Sequence, residues 1–206
     1  MTQRTVPAPW LPALLLAALV PVLVWSYIAP HDRATWWMEA LPVAIAVPLL
    51  AATWKRFPLT PLLYILVWLH AVILLVGAHY TYALVPIGDW ARDTFDLSRN
   101  HYDRLGHFAQ GFVPAIAARE LLIRLTPLKR GGWLFAVVTL SVLGISAAYE
   151  LIEWAAAELT ADGAESFLGS QGDVWDAQKD MLLALIGAVV AQIGLGRIHR
   201  RALQQL

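Results

Sequence analysis

The sequence predicts an all-α fold: a polytopic membrane helix bundle of about six transmembrane helices in one integral membrane domain spanning 1–206, with both termini cytoplasmic. Three observations predict it. Hydrophobic residues make up 59% of the 206 and charged residues only 15%, where soluble domains carry roughly a quarter charged. Apolar runs near the ~20 residues that cross a hydrocarbon core recur along the chain. The tryptophans gather where those runs end, as an aromatic belt requires: Trp10, Trp25, Trp36, Trp37, Trp54, Trp90, Trp133, Trp154 and Trp175, with only Trp68 in mid-span. The mean hydropathy of +0.58 agrees. No Ser/Gly-rich linker or internal repeat divides the chain. The absence of cysteine excludes disulfides, thiolate catalysis and Cys-based zinc sites. A net charge of zero without a basic patch excludes nucleic acid as a partner.

The first span runs from about 10 to 28. Only Arg4 and short polar residues precede it and no small-x-small cleavage pattern follows, which predicts an uncleaved helix. Pro12 and Pro21 within it are tolerated where neighbours satisfy the freed carbonyls. The second span, about 38–54, carries Pro42 and Pro48; Lys55, Arg56 and Pro58 then turn the chain into a third span, about 60–85, long enough to tilt. A polar connection from Ile87 to His101 follows, with Gly88, Asp89, Asp93, Asp96 and Asn100 as turn-formers. The fourth span, 102–125, escapes a strict hydropathy window because Asp103, Arg104, His107, Gln110, Arg119 and Glu120 dilute it. Its apolar residues still recur at helical spacing. The fifth and sixth spans run from about 133 to 157 and 174 to 196, joined by an acidic, Gly/Ser-rich loop.

Lysine and arginine near span ends favour the cytoplasm. An inside N-terminus with six crossings puts Arg4, Lys55, Arg56, Arg119, Arg124, Lys129, Arg130, Arg197, Arg200 and Arg201 inside. It leaves Arg33, Arg92 and Arg99 outside, with Arg104 and Lys179 just within the outer helix ends.

In this topology the fourth span starts, the fifth ends and the sixth starts at the outer boundary, so their polar clusters share a depth. At 1.5 Å per residue His107, Glu150 and Asp180 lie roughly 10 Å below that boundary. Asp103 and His107 are i and i+4, Glu150 and Glu153 i and i+3, Asp176 and Asp180 i and i+4, so each helix offers one polar stripe. Polar stripes at membrane depth face the bundle interior. So many carboxylates cannot all carry charge together without cations. Arg104 and Lys179 supply two, and a divalent metal supplies more. Carboxylates with an imidazole, projecting from helices into a bundle core, suit Zn, Mn, Fe or Mg.

The metal set is therefore Asp103, His107, Glu150, Asp176 and Asp180. Glu153 or His79 is placed as general base, and Arg104, Lys179 and Gln110 as contacts for a substrate's headgroup. Plainer roles stand beside these. Asp173 after Gly172 reads as the N-cap of the sixth helix, Glu153 as a headgroup contact, Lys179 as a partner of Asp176, and His70 as a packing residue. Glu39, Asp89, Asp93, Asp96, Asp162 and Glu165 read as solvated. Asp103, His107, Glu150 and Asp180 also admit a purely structural polar network.

The strings YDRLGHFAQGFVPAIAARELLIR, SAAYELIEW and GSQGDVWDAQKDMLLALIGA resemble the YjdF-type family of bacterial inner-membrane proteins, most closely over 102–187. More distantly, the order Asp-x-x-x-His, then Glu-x-x-Glu, then Asp-x-x-Asp-x-x-x-Asp is similar to the VanZ-like family, linked to teicoplanin resistance. That family typically has Gln and Asn where this chain has Glu153 and Asp180. The resemblance implies a multi-pass protein of the bacterial cytoplasmic (inner) membrane whose characteristic polar residues are those singled out above. Two functional classes follow. The first is a metal-dependent hydrolase or transferase acting on an outer-leaflet lipid or lipid-linked envelope substrate. The second is a non-enzymatic binder or transporter of a small amphiphile or cation, with a structural protein holding a polar clasp as a third reading.

Overall fold

A computed structural model describes residues 10–159 and 170–206, and the described residues are helical with no strand. Arg4, Asp162 and Glu165, which the sequence places at the boundaries, lie outside the described residues. Seven α-helices follow in order: α1 Trp10–Tyr27, α2 Arg33–Thr53, α3 Pro61–Tyr80, α4 Pro86–Phe95, α5 Tyr102–Leu125, α6 Gly132–Leu159 and α7 Asp176–Leu203. Of these α1, α2, α3, α6 and α7 are long and apolar enough to cross a membrane. Besides the ten-residue α4, the exception is α5, whose 24 residues span about 36 Å. It runs through the centre of the bundle against α3, α6 and α7, which is how Asp103, His107, Arg119 and Glu120 come to be buried in a helix too polar to face lipid.

The helices alternate in direction. Ser26 near the end of α1 donates to Leu75 O near the end of α3, and accepts from Trp36 Nε1 near the start of α2. The Tyr102 hydroxyl at the start of α5 donates to Ile73 O, while Thr60 at the other end of α3 meets Glu120 near the end of α5. At one end of the bundle, therefore, lie the ends of α1, α3 and α6 and the starts of α2, α5 and α7. The described chain ends, Trp10 and Leu206, belong to the other.

Although joined through α6, α5 and α7 run parallel in backbone contact. A Cβ on Gly111 would strike the carbonyl of Ala184, and one on Gly187 would strike the carbonyl of Phe108. Within hydrocarbon, such small-residue faces let helices associate through close packing and not by expelling water. Below the crossing Val113, Ile116, Val138, Val142 and Ala188 form an apolar plug across the bundle, while Leu19, Ala40, Val43 and Leu75 join α1 and α2 to α3.

Several elements differ from the sequence reading. Asp32 accepts the Thr35 N–H at 2.7 Å as the N-cap of α2, which holds the Asp32 carboxyl below its ordinary range. This cap starts α2 at Arg33 instead of near residue 38. The third helix stops at Tyr80, where Thr81 takes φ 66°, and Tyr82–Leu84 form a 3₁₀ turn in place of a continuation to residue 85. The polar connection contains α4. Pro86 sits in its first turn and Asp96 closes it in the left-handed conformation. Ile87, Trp90 and Phe95 form one exposed apolar face, the composition of a helix lying in the membrane interface. The last helix continues to Leu203, beyond the apolar stretch that suggested an end near 196, and buries His199 in its added turns. Trp36 is not a belt residue. It is buried, with its indole N–H on Ser26.

Candidate functional site

The bundle end that gathers α5, α6 and α7 carries a compact polar cluster. Asp103 and His107 stand one turn apart on α5, with Asp103 Oδ1 3.4 Å from His107 Nε2. On its other side His107 Nδ1 lies 3.7 Å from Glu150 Oε1 of α6. Asp180 of α7 closes the group: one ligand atom each from Asp103, His107 and Asp180 lie within 4.8 Å of one another, and all three residues are buried. His107 Nδ1, Glu150 Oε1 and Asp180 Oδ1 are buried without a hydrogen-bond partner among the described residues. Unpaired polar atoms at this depth are costly.

Beside this group a cavity of about 180 Å³ is lined by Asp103, His107, Gln110, Tyr149, Glu153 and, unexpectedly, Glu39 and Tyr82. Glu39 was expected in solvent. Because α2 starts at Arg33, Glu39 lies more than a turn inside the helix instead of at its very start, and is only 7% exposed. Tyr82 arrives because α3 ends at Thr81; its ring packs against the Gly77 and Gly106 backbones, where an added Cβ would come within 2.8 Å of it. Tyr149 reaches across to the Met38 carbonyl. A tyrosine in a turn and a glutamate in a misplaced helix start gave no periodic signal.

Over the cluster lies a layer of ion pairs organised by Arg99, a residue the sequence reading counted only as a loop cation. Its guanidinium donates to Asp176 Oδ1 at 2.5 Å and to Ser170 O at 3.0 Å, and approaches Asp103 and Asp173 at 3.8 Å. Asp176, expected among the metal ligands, is thus held by Arg99 outside the Asp103–His107–Asp180 group. Arg104 and Lys179, expected to meet a headgroup, both converge on Asp173 Oδ2, at 3.0 and 2.5 Å. Hydrogen bonding from Lys179 holds the Asp173 carboxyl below the usual range, assisted by the Trp175 N–H. The N-cap position itself is Trp175, so Asp173 braces the turn before α7 instead of capping it.

His79 is not in the cluster. It stands two residues, about 200° of helix, from Gly77, which faces the Tyr82 ring. Its Nδ1 lies 3.1 Å from Ser26 O and its ring stacks on Trp25 at 4.3 Å. His79 therefore stands away from the cluster where it was expected as a general base, whereas Glu153, 8% exposed, lies on the cavity wall.

A second buried network occupies the opposite end and was missed because Glu120 and His199 lie 79 residues apart. Glu120 Oε1 accepts from Thr60 N and Arg124, and Oε2 from Thr60 Oγ1 and His199 Nε2. His199 Nδ1 faces Arg119 Nη1 at 2.5 Å, so His199 donates through Nε2 and accepts through Nδ1. This network ties α3, α5 and α7 together.

A family model described as "Predicted membrane protein (DUF2238)" matches residues 11–201. The chain belongs to the DUF2238 family. It is similar to the "Inner membrane protein YjdF" of Escherichia coli (strain K12), 51% identical over 187 residues that cover 91% of this chain and 90% of that protein. No solved structure matches the chain. The expected multi-pass protein of the inner membrane, of the YjdF type, is thus supported by the DUF2238 match, by the relative and by the apolar helices alike.

Proposed function

We propose that Asp103, His107 and Asp180, with Glu150 behind His107, hold a divalent cation, and that the site performs metal-assisted hydrolysis or transfer of a phosphoryl or acyl group on an outer-leaflet amphiphile. The observation that carries this reading is the contrast between the two buried networks. At Glu120 and His199 both carboxylate oxygens and both ring nitrogens have partners, which is what a structural clasp requires. Around Asp103–His107–Asp180 the atoms His107 Nδ1, Glu150 Oε1 and Asp180 Oδ1 are buried without hydrogen-bond partners among the described residues, beside a carboxylate–imidazole–carboxylate group whose ligand atoms lie within 4.8 Å of one another, which is what a cation would satisfy. Bonds of about 2.0–2.2 Å to such an ion need only a small contraction of the present spacing. Three carboxylates with one imidazole suit Mn, Fe, Zn or Mg.

Bound there, the ion supplies Lewis-acid polarisation of a phosphoryl or carbonyl oxygen. Glu153 and Glu39 stand on the cavity wall as carboxylates that hold and release a proton. At the rim Arg99, just before α5, bridges Asp103 of α5 and Asp176 of α7, and Asp173, just before α7, pairs with Arg104 of α5. The VanZ-like motif order is in keeping with an envelope-linked substrate. Transport of an ion is disfavoured because the space leading from the site toward the opposite face is walled by hydrocarbon, with Val113, Ile116, Val138, Val142 and Ala188 filling the bundle beside it.

Elemental analysis of protein purified in detergent without chelator tests the reading. About one divalent ion per chain is expected, falling several-fold in His107→Ala and Asp180→Asn while Glu158→Gln, on the exposed end of α6, retains it. Wild-type protein that carries none, and takes up none from added Mn or Zn, would sink the proposal.

A further inference from the structure

The first two helices both pack on α3 and scarcely on each other, leaving a groove between them of about 610 Å³. Its walls are hydrocarbon: Leu16 and Leu19 of α1, Val43 and Leu50 of α2, with Ala71 of α3 and Ala117 of α5 behind them. It does not end blindly. Pro42, His70, Leu74 and Pro114 line both this groove and the acidic cavity, so the two spaces meet at one neck. His70 stands in that neck with its Nε2 buried and unpartnered among the described residues.

We propose that groove and cavity are one binding site for a single-chain amphiphile, its hydrocarbon chain lying between α1 and α2 and its small polar end in the Glu39–Asp103–His107 cavity. The inference rests on the proposed function for its catalytic sense and adds the substrate class. Length agrees: from Pro42 to Trp54 the groove follows α2 toward the cytoplasmic end of the bundle for about 18 Å, room for a chain of the ~15 Å one-leaflet length whose head has entered the cavity from the outer side. Size limits the head. The cavity, about 180 Å³ beside a groove of about 610 Å³, takes the smaller part of the molecule: a hydroxyl, or a carboxyl or phosphate whose charge the proposed cation offsets among Glu39, Asp103 and Glu153. Chemistry changes at the neck, where the His70 nitrogen meets the polar group that joins head to chain. A lipid merely filling a gap between helices would need neither the neck nor a hydrogen-bonding group buried in it.

The test uses the intact protein in detergent and a 16-carbon fatty acid bearing a mid-chain diazirine and a terminal alkyne. Irradiation should label residues 12–19 and 42–54. Unlabelled 16-carbon acid should compete, and a six-carbon acid should not. Ala46→Phe and Ala117→Phe, which fill the groove, should each reduce labelling at least fivefold, whereas Ala44→Phe, of equal bulk on the exposed face of α2, should leave it unchanged. Metal content is measured on the same samples. Groove labelling lost in the filled variants with metal retained supports the proposal. Labelling spread over the exposed flanks of α6 and α7, indifferent to both filled variants, means bulk lipid only and overturns it, without touching the metal assignment. Selective groove labelling in protein that binds no metal upholds the amphiphile site and defeats the catalytic reading instead.

Discussion

Replacing Gly111 by alanine tests whether the α5–α7 crossing sets the geometry of the site. An added Cβ there would stand 2.6 Å from the Ala184 Cα and closer still to its carbonyl. Carbon atoms rest at about 3.5–4.0 Å, so the two helices must part by about 1 Å. Overpacking of this kind costs about 1–3 kcal/mol. With about 2–4 °C per kcal/mol for a chain of this length, the midpoint should fall by about 2–12 °C. On α5 His107 sits one turn and Asp103 two turns from Gly111, and on α7 Asp180 sits one turn from Ala184, so the same displacement opens the cluster beyond the ~0.5 Å tolerance of a preorganised site. Bound metal should therefore fall along with stability. The control is Gly144→Ala on α6, where an added Cβ meets nothing within 4 Å. There alanine removes the glycine penalty and stabilises by about 0.5–1 kcal/mol. The assay is thermal unfolding of each variant in one detergent, followed by elemental analysis of the folded fraction. If Gly111→Ala is as stable as wild type and keeps its metal, or if both variants lose stability equally, the backbone crossing does not position the site.

The remaining expectations concern the opposite network and the orientation. Glu120→Ala leaves His199, Arg124 and the Thr60 hydroxyl without their buried acceptor, and breaking a buried pair costs about 3–5 kcal/mol. Because Glu120 lies thirteen residues, about 20 Å, from His107 along α5, metal per folded chain should not change; loss of metal in step with stability would make the two networks one unit. The chain has no cysteine, so Thr94→Cys on α4 and Lys129→Cys in the α5–α6 turn report sidedness to an impermeant maleimide. In spheroplasts with an intact membrane only Thr94→Cys should react. Reaction of Lys129→Cys alone would place the site at the cytoplasmic face.

The sequence alone determined the fold class, all six long helices with the start of α2 and the ends of α3 and α7 as the misplaced boundaries, and the stripes that carry Asp103, His107, Glu150 and Asp180. Hydropathy is a local sum and helical spacing a local rule, so both are legible without knowing any partner. Glu39, Tyr82, Arg99 and His199 were different. Each owes its role to a residue distant in sequence: Glu39 faces α5 and α6 across a cavity, Arg99 pairs with Asp176, and His199 completes Glu120. Local polarity around them matched that of ordinary boundary residues. His79 shows the converse, a polar residue at the right depth whose helix turns it toward α1. Which faces meet was decided by backbone contact at Gly111 and Gly187, which lays α5 and α7 side by side in parallel. Depth follows from composition, whereas the direction a side chain faces follows from how closely two backbones approach, and only the folded bundle fixes that.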